Sequence, residues 1–244
     1  EENFIMKLKK IASLALAGIM AVSILTACGD STTNNTGDDS SSSQPTVSNA
    51  SNVMWNGMNK DARDIVDPVA NATLENSLRK NVEIYGNLDN VVEYVLSHVI
   101  SSSDQQNITA TPVDVSNIII WDKIAQDMGI TSECASTGEC LAEDNGKDAA
   151  ALRLYATNFS VSDQYALEYV GQLIDEEIAE LPLTSGDKSV EYDYEISASI
   201  VSENIANEGL GTQMTTVKFI AVYATRTATR VSPAPCPADA PRVA

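Results

Sequence analysis

The sequence predicts an α+β domain: N-terminal helices, then a strand-helix-strand-strand unit whose antiparallel sheet packs on a helix. Two patterns carry this reading. In SDQYALEYVGQLIDEEIAELP the residues Ala166, Leu167, Val170, Leu173, Ile174, Ile178 and Leu181 recur at steps of three and four, the spacing of one helix face. In VEYDYEISASI the apolar and polar residues alternate strictly, the spacing of a strand with one face wet.

Taken in order, Ala72 to Leu78 shows a modest helical pattern. Leu88 to Ile100 shows a clear one, through Leu88, Val91, Val92, Val95, Leu96 and Val99, with Asn87 or Asp89 to cap it. A further helix fits Ile118 to Met128, where Ile118, Trp121, Ile124, Ala125 and Met128 share a face, Ser116 can cap the start and Gly129 stops the end. Ala149 to Phe159 alternates as a strand. The long helix follows, capped by Ser160 or Ser162 and ended by Pro182. Val190 to Ile200 places Val190, Tyr192, Tyr194, Ile196, Ala198 and Ile200 on one face, and Glu191, Asp193, Glu195, Ser197 and Ser199 on the solvated other. The loop ENIANEGLGT leads to a last strand over about Met214 to Arg226, giving a hairpin whose apolar face the long helix covers.

Ahead of this domain, Lys7, Lys9 and Lys10 precede an uncharged run from Ile11 to Ala27, the layout of a secretory signal rather than of a longer membrane-spanning helix. Leu25-Thr26-Ala27-Cys28 then resembles the lipobox of bacterial lipoproteins. The resemblance covers residues 6 to 28, implies diacylglyceryl transfer to Cys28 with cleavage after Ala27, and is silent on activity. Residues 1 to 5 look out of place, so the signal is expected to start at Met6. Residues 28 to 52, nearly all Ser, Thr, Asn, Asp and Gly, read as a disordered tether behind the lipidated cysteine. Residues 53 to 231 read as one extracytoplasmic domain, and the Pro- and Ala-rich residues 232 to 244 as a disordered tail.

Acids number 34 against 15 bases, a net charge of −19. That balance excludes nucleic acid as a partner and favours solubility and spacing from an anionic surface. No motif carries chemistry. His98 is the one histidine, which excludes His-rich zinc sites, and it reads as a partly exposed structural residue. Ser77-Leu78-Arg79-Lys80 matches S-x-x-K but lacks the companion K-T-G and S-D-N motifs. Glu143-Asp144-Asn145-Gly146 reads as a turn, and Asp175, Glu176, Glu177 and Glu180 as a wet helix face. Trp121 is expected in the core, while Trp55 has no assigned role.

Cys134 and Cys140 enclose only ASTGE. A disulfide giving local stiffening and two free thiols are the main readings, with a metal or redox pair the weakest, since the spacing is not C-x-x-C and no His is near. No catalytic residue, metal ligand or cofactor is expected. The leading expectation is a non-enzymatic binding domain, held at the outer face of the bacterial membrane by lipid on Cys28, with a protein, a wall component or a small ligand as partner. A cell-envelope hydrolase or transferase using acidic residues is the first alternative, and a solute-binding accessory protein the second.

Overall fold

The computed structural model describes residues 47–99, 111–130, 139–158, 161–207 and 213–231. Cys28, Cys134, Cys236, the residues before Val47 and those after Val231 lie outside them. The elements are α1 (Val47–Gly57), α2 (Lys60–Ile65), β1 (Val66–Pro68), α3 (Ala72–Tyr85), α4 (Asp89–Val99), β2 (Val113–Asp114), α5 (Ile119–Asp127), α6 (Glu139–Ala142), β3 (Ala149–Asn158), α7 (Asp163–Ala179), β4 (Val190–Asn207) and β5 (Gln213–Arg230). Five strands form one sheet in the order β1-β4-β5-β3-β2. β5 runs antiparallel to both β4 and β3, whereas β1 runs parallel to β4. The α+β class stands, with a mixed sheet.

The sheet is covered on both faces, and the two covers are offset along the strands. On one face α1 and α7 bury Tyr192, Tyr194, Ile196 and Ala198 of β4 together with Ile220, Val222 and Ala224 of β5. On the other, α3, α4 and α5 bury Val201 and Ile205 of β4, Phe219 and Ala221 of β5, and Leu152 and Leu154 of β3. One solvated face was expected for β4, and only its first half has one. Glu191, Asp193 and Glu195 are exposed, but Ser197 and Ser199, on the same face, are buried at the crossover between the covers. The doublet Ile200-Val201 marks that crossover, because two adjacent apolar residues must point to opposite faces. It also explains the length of the hairpin. The ladder runs on to Asn207↔Gln213, through residues read as loop, because Ile205 has a second core to enter.

The helix ends follow local chemistry. Asn71 Oδ1 accepts from Leu74 N at 3.0 Å and Ser162 Oγ from Tyr165 N at 3.2 Å, so both side chains cap as donors run out of carbonyls. With that cap α3 extends well past Leu78 to Tyr85. Ser116 is not a cap: α5 starts after Ile118 with no side-chain cap, and Ser116 Oγ accepts from Leu154 N of β3 at 3.1 Å. Edge backbone outcompeted the helix terminus for that hydroxyl. Gly129 does end α5, with φ +71. Two residues on predicted apolar stripes point to solvent, Leu173 at 43% and Leu88 at 41% exposure.

α1 begins inside the stretch read as tether. Ser51, in that stretch, is fully buried and its Oγ accepts from Ala198 N of β4 at 3.0 Å. α1 lies against α7 at backbone distance: a Cβ on Gly171 would sit 2.2 Å from Met54 O, and one on Gly57 would sit 2.1 Å from Glu168 O. Trp121 is in the core and donates Nε1 to Leu152 O at 3.1 Å. Trp55 is half-buried beside β1 and donates to Val66 O at 2.9 Å, so it staples α1 to the sheet edge. No helix among the described residues is long and apolar enough to cross a membrane.

The S-x-x-K stretch is structural. Ser77 Oγ and Asn81 Nδ2, both on buried residues of α3, donate to Asp127 Oδ2 of α5 at 2.8 and 3.0 Å, and Lys80 Nζ lies 3.7 Å away. The hydrogen bonds from Ser77 and Asn81 hold the Asp127 carboxyl below its usual range. Asp127→Ala should therefore cost about 1 kcal/mol in urea unfolding, by stranding the buried Ser77 hydroxyl, while Asn81 Nδ2 keeps Ser77 O as an acceptor. Because the folded carboxyl is the stronger acid, its contribution is complete above the unfolded carboxylate range and fades as pH falls through the folded value. The variant's deficit should thus shrink in acid.

Candidate functional site

The most organised polar region lies where β4 starts and β5 ends, and Arg226 builds it. Arg226 is 1% exposed on the α1–α7 face of β5. Among the described residues no carboxylate forms an ion pair with it. Its Nη1 donates to Leu141 O at 2.7 Å and Glu143 O at 2.5 Å, its Nε to Lys147 O at 3.0 Å, and its Nη2 to Asn145 Oδ1 and Lys147 O at 2.8 Å each. The guanidinium also lies 4.6 Å from the centre of the Tyr192 ring. Carbonyl dipoles and an aromatic face thus replace bulk water around a buried cation, a task suited to the planar fork of arginine. Gly146, at φ +65, turns the wrapped loop as the Asn-Gly pair predicts.

The clamped loop forms one wall of an open cleft of about 720 Å³. Asp144 stands in that wall, accepting from Tyr192 OH at 3.1 Å and from Gly186 N at 2.8 Å. The turn over residues 185–189 forms the other wall. There Asp187 Oδ1 accepts from Ser185 Oγ and Ser189 Oγ at 2.7 Å and from Ser189 N at 2.9 Å, while Arg230 sits at the mouth. The Ser185 and Ser189 hydrogen bonds bring the Asp187 carboxyl down to about 2. The turn keeps this support above the normal Asp range and loses it as pH falls through about 2. The Ser189 amide resonance should shift with a midpoint near pH 2, and Asp187→Asn should remove that transition.

Beside the cleft, on the opposite sheet face, the uncovered half of the hairpin presents two parallel rows. Glu191, Asp193 and Glu195 of β4 are exposed, and their cross-strand partners on β5 are Thr229, Thr227 and Thr225. Side chains repeat every second residue, so the acids stand roughly 7 Å apart along a flat, wet surface. β1 continues the row, with Asp67 in register with Glu195.

The other sequence candidates are not drawn into one place. His98 is exposed, its Nδ1 2.8 Å from Tyr94 O and its ring stacked on Tyr94 at 4.1 Å, a local helix contact. Glu177 pairs with Arg153 at 2.5 Å, and Asp175 accepts from Asn59 N at 3.2 Å, so part of the wet face of α7 ties neighbouring elements together. Cys140 is buried in α6 and is disulfide-bonded. Cys28, Cys134 and Cys236 lie outside the described residues, so the Cys134–Cys140 pairing stays an expectation, checked by peptide mapping of the unreduced chain. Among the described residues no group of three His, Cys, Asp or Glu side chains could hold a metal ion.

Sequence reasoning missed Arg226 and Asp187. Arg226 had a readable signal, since it falls on the apolar phase of its strand with Ala224 and Val222. Asp187 had none beyond its Ser-rich turn. Neither a protein family, nor a curated protein, nor a solved structure matches this chain.

Proposed function

We propose that this chain is a lipid-anchored, extracytoplasmic binding domain whose partner is a cationic protein segment, and that it works by association rather than turnover. The observation that carries the reading is the row of Glu191, Asp193 and Glu195 facing Thr229, Thr227 and Thr225 on the open half of the sheet. Carboxylates at every second position match a partner strand with Lys or Arg at every second position, and the threonine hydroxyls add donors and acceptors between them. The net charge of −19 steers cations toward that surface and repels anionic ones. The described Asp and Glu side chains are not among the buried residues, and the carboxyls that move, Asp127 and Asp187, move down. A general acid needs the opposite shift. The lipobox-like Leu25-Thr26-Ala27-Cys28 supports the anchor.

The test has two arms. Isothermal titration with polylysine at low and high salt should show binding that weakens steeply with salt. The triple change Glu191→Gln, Asp193→Asn, Glu195→Gln should weaken it about tenfold or more. Equal binding by the triple variant would discard the acid row. For the anchor, palmitate labelling in a bacterial host should depend on Cys28, and labelling that persists in Cys28→Ala would discard it.

A further inference from the structure

The outward backbone groups of β4 form a continuous series, and the described residues use part of it. In this hairpin the even-numbered residues of β4 turn their N–H and C=O away from β5. Ser185 N donates to Val190 O at 2.9 Å, and Tyr192 N donates to Leu183 O at 2.9 Å. β1 pairs alongside Tyr194 to Ile196, and Val69 N donates to Ile196 O at 2.8 Å. Ala198 N donates to Ser51 Oγ at 3.0 Å. The chain then leaves the edge, because residues 69–71 lead into α3 on one sheet face while α1 lies on the other. Ile200, Ser202 and Asn204 continue the same outward phase, and their backbone groups meet no partner among the described residues on that side. Ser202 and Asn204 are exposed.

We infer that this stretch of β4, Ile200 to Asn204, is a docking edge that accepts an extended, basic segment of a partner protein as an added strand. An edge with a ready row of donors and acceptors pairs with any strand that fits, and proteins that do not use such an edge block it with Pro, Lys or a cover. β1 shows that blocking, since its three residues end in Pro68. The open stretch of β4 carries no Lys or Pro. Its own charge is Glu203, and a Cβ on Gly86 at the end of α3 would lie 3.5 Å from Glu203 Cγ. Exposed Glu83 stands three residues before Gly86 in the same helix end. The one nearby cation, Lys218 opposite Ser202 on β5, is held by Asp163 and Val161 O, so the charges left without a counter-charge beside this edge, Glu203 and Glu83, are negative. A second copy would bring Glu203 and a net −19 against the same charges, so the occupant is a basic segment rather than another copy. The choice of a basic occupant rests on the cationic-partner reading, but the surface is separate from the Glu191–Glu195 row.

The test uses the full chain and a fluorescein-labelled peptide, Lys-Val-Lys-Val-Lys-Val-Lys, with the Glu-Val version as control. Fluorescence anisotropy should show binding of the lysine peptide only. Ser202→Pro removes an outward N–H and leaves the ladder to β5 intact, so it should weaken binding at least about tenfold with an unchanged thermal midpoint. Because the acid row also accepts an alternating lysine strand, these peptide measurements are made in the Glu191→Gln, Asp193→Asn, Glu195→Gln background, which separates failure of the edge from failure of the row. If Ser202→Pro does not fold, hydrogen exchange on the unaltered chain decides: the peptide should protect the amides of Ser202 and Asn204 and not those of Val201 and Glu203. Equal binding by the folded Pro variant, equal binding of the Glu peptide, no binding, or no gain of protection would each overturn the proposal. So would a chain that sediments as a dimer until Ser202→Pro breaks it, which would assign the edge to self-association.

Discussion

Arg226→Ala should lower the stability of this domain by about 4 kcal/mol in urea unfolding, one of the two largest effects we expect from a single substitution. The number follows from what is stranded. The guanidinium satisfies the carbonyls of Leu141, Glu143 and Lys147 and the amide oxygen of Asn145, all held against a buried position on β5. Removal leaves a cavity under Tyr192 and frees the loop over residues 141–147 from the sheet. Domains of this kind have on the order of 5–15 kcal/mol in total, so the loss is a large share. Arg226→Lys should recover little, because one ammonium cannot reach acceptors on several sides of a planar fork. A loss below about 1 kcal/mol for Arg226→Ala would mean the loop holds its own shape. The cleft should be lost with it, read as disappearance of the Asp187 transition in acid.

Gly171→Ala should cost about 2 kcal/mol, and Gly171→Leu should prevent folding. Two effects oppose each other at this site. Alanine favours the helix by about 1 kcal/mol over glycine. Against that, the added Cβ meets Met54 O at 2.2 Å and Met58 N at 3.3 Å, atoms of the facing backbone that cannot rotate aside. The clash wins because α1 and α7 would have to separate along their length, opening the core around Ala50, Met54 and Val170. Gly57→Ala meets Glu168 O in the same way. The double variant should cost less than the sum, since either change alone already parts the pair. A neutral Gly171→Ala in thermal unfolding would show that α1 is not seated as described.

The parts of the fold that were legible share one property: their burial is periodic within a single element. α7 and the first half of β4 announce themselves because one stripe meets one core. Val201 and Ile205 did not, because they belong to the second core and break the alternation that made β4 visible. α1 was hidden by composition. Its first half, VSNASN, looks like a tether because its buried face there uses Ala50 and Ser51, and Ser51 earns its burial only through a strand far along the chain. β1 and β2 are too short to carry a pattern at all. At the site, the acid row was legible as a row, and the structure adds that threonines face it. The Arg226 cage was not, since loop carbonyls carry no signature in side-chain letters.

The seating of Ser51 on Ala198 spans 147 residues of chain. During synthesis or export from the N-terminal end, α1 emerges first, yet its two docking surfaces, α7 and β4, emerge much later. Until then Met54, Met58 and Ala62 have nothing to cover them. The β4–β5 hairpin is local and can form quickly, so assembly should be ordered from the C-terminal half backward, with docking of α1 as the closing step. Nascent chains stopped before β4 should therefore expose α1 to proteases, and release of the last strands should abruptly protect it.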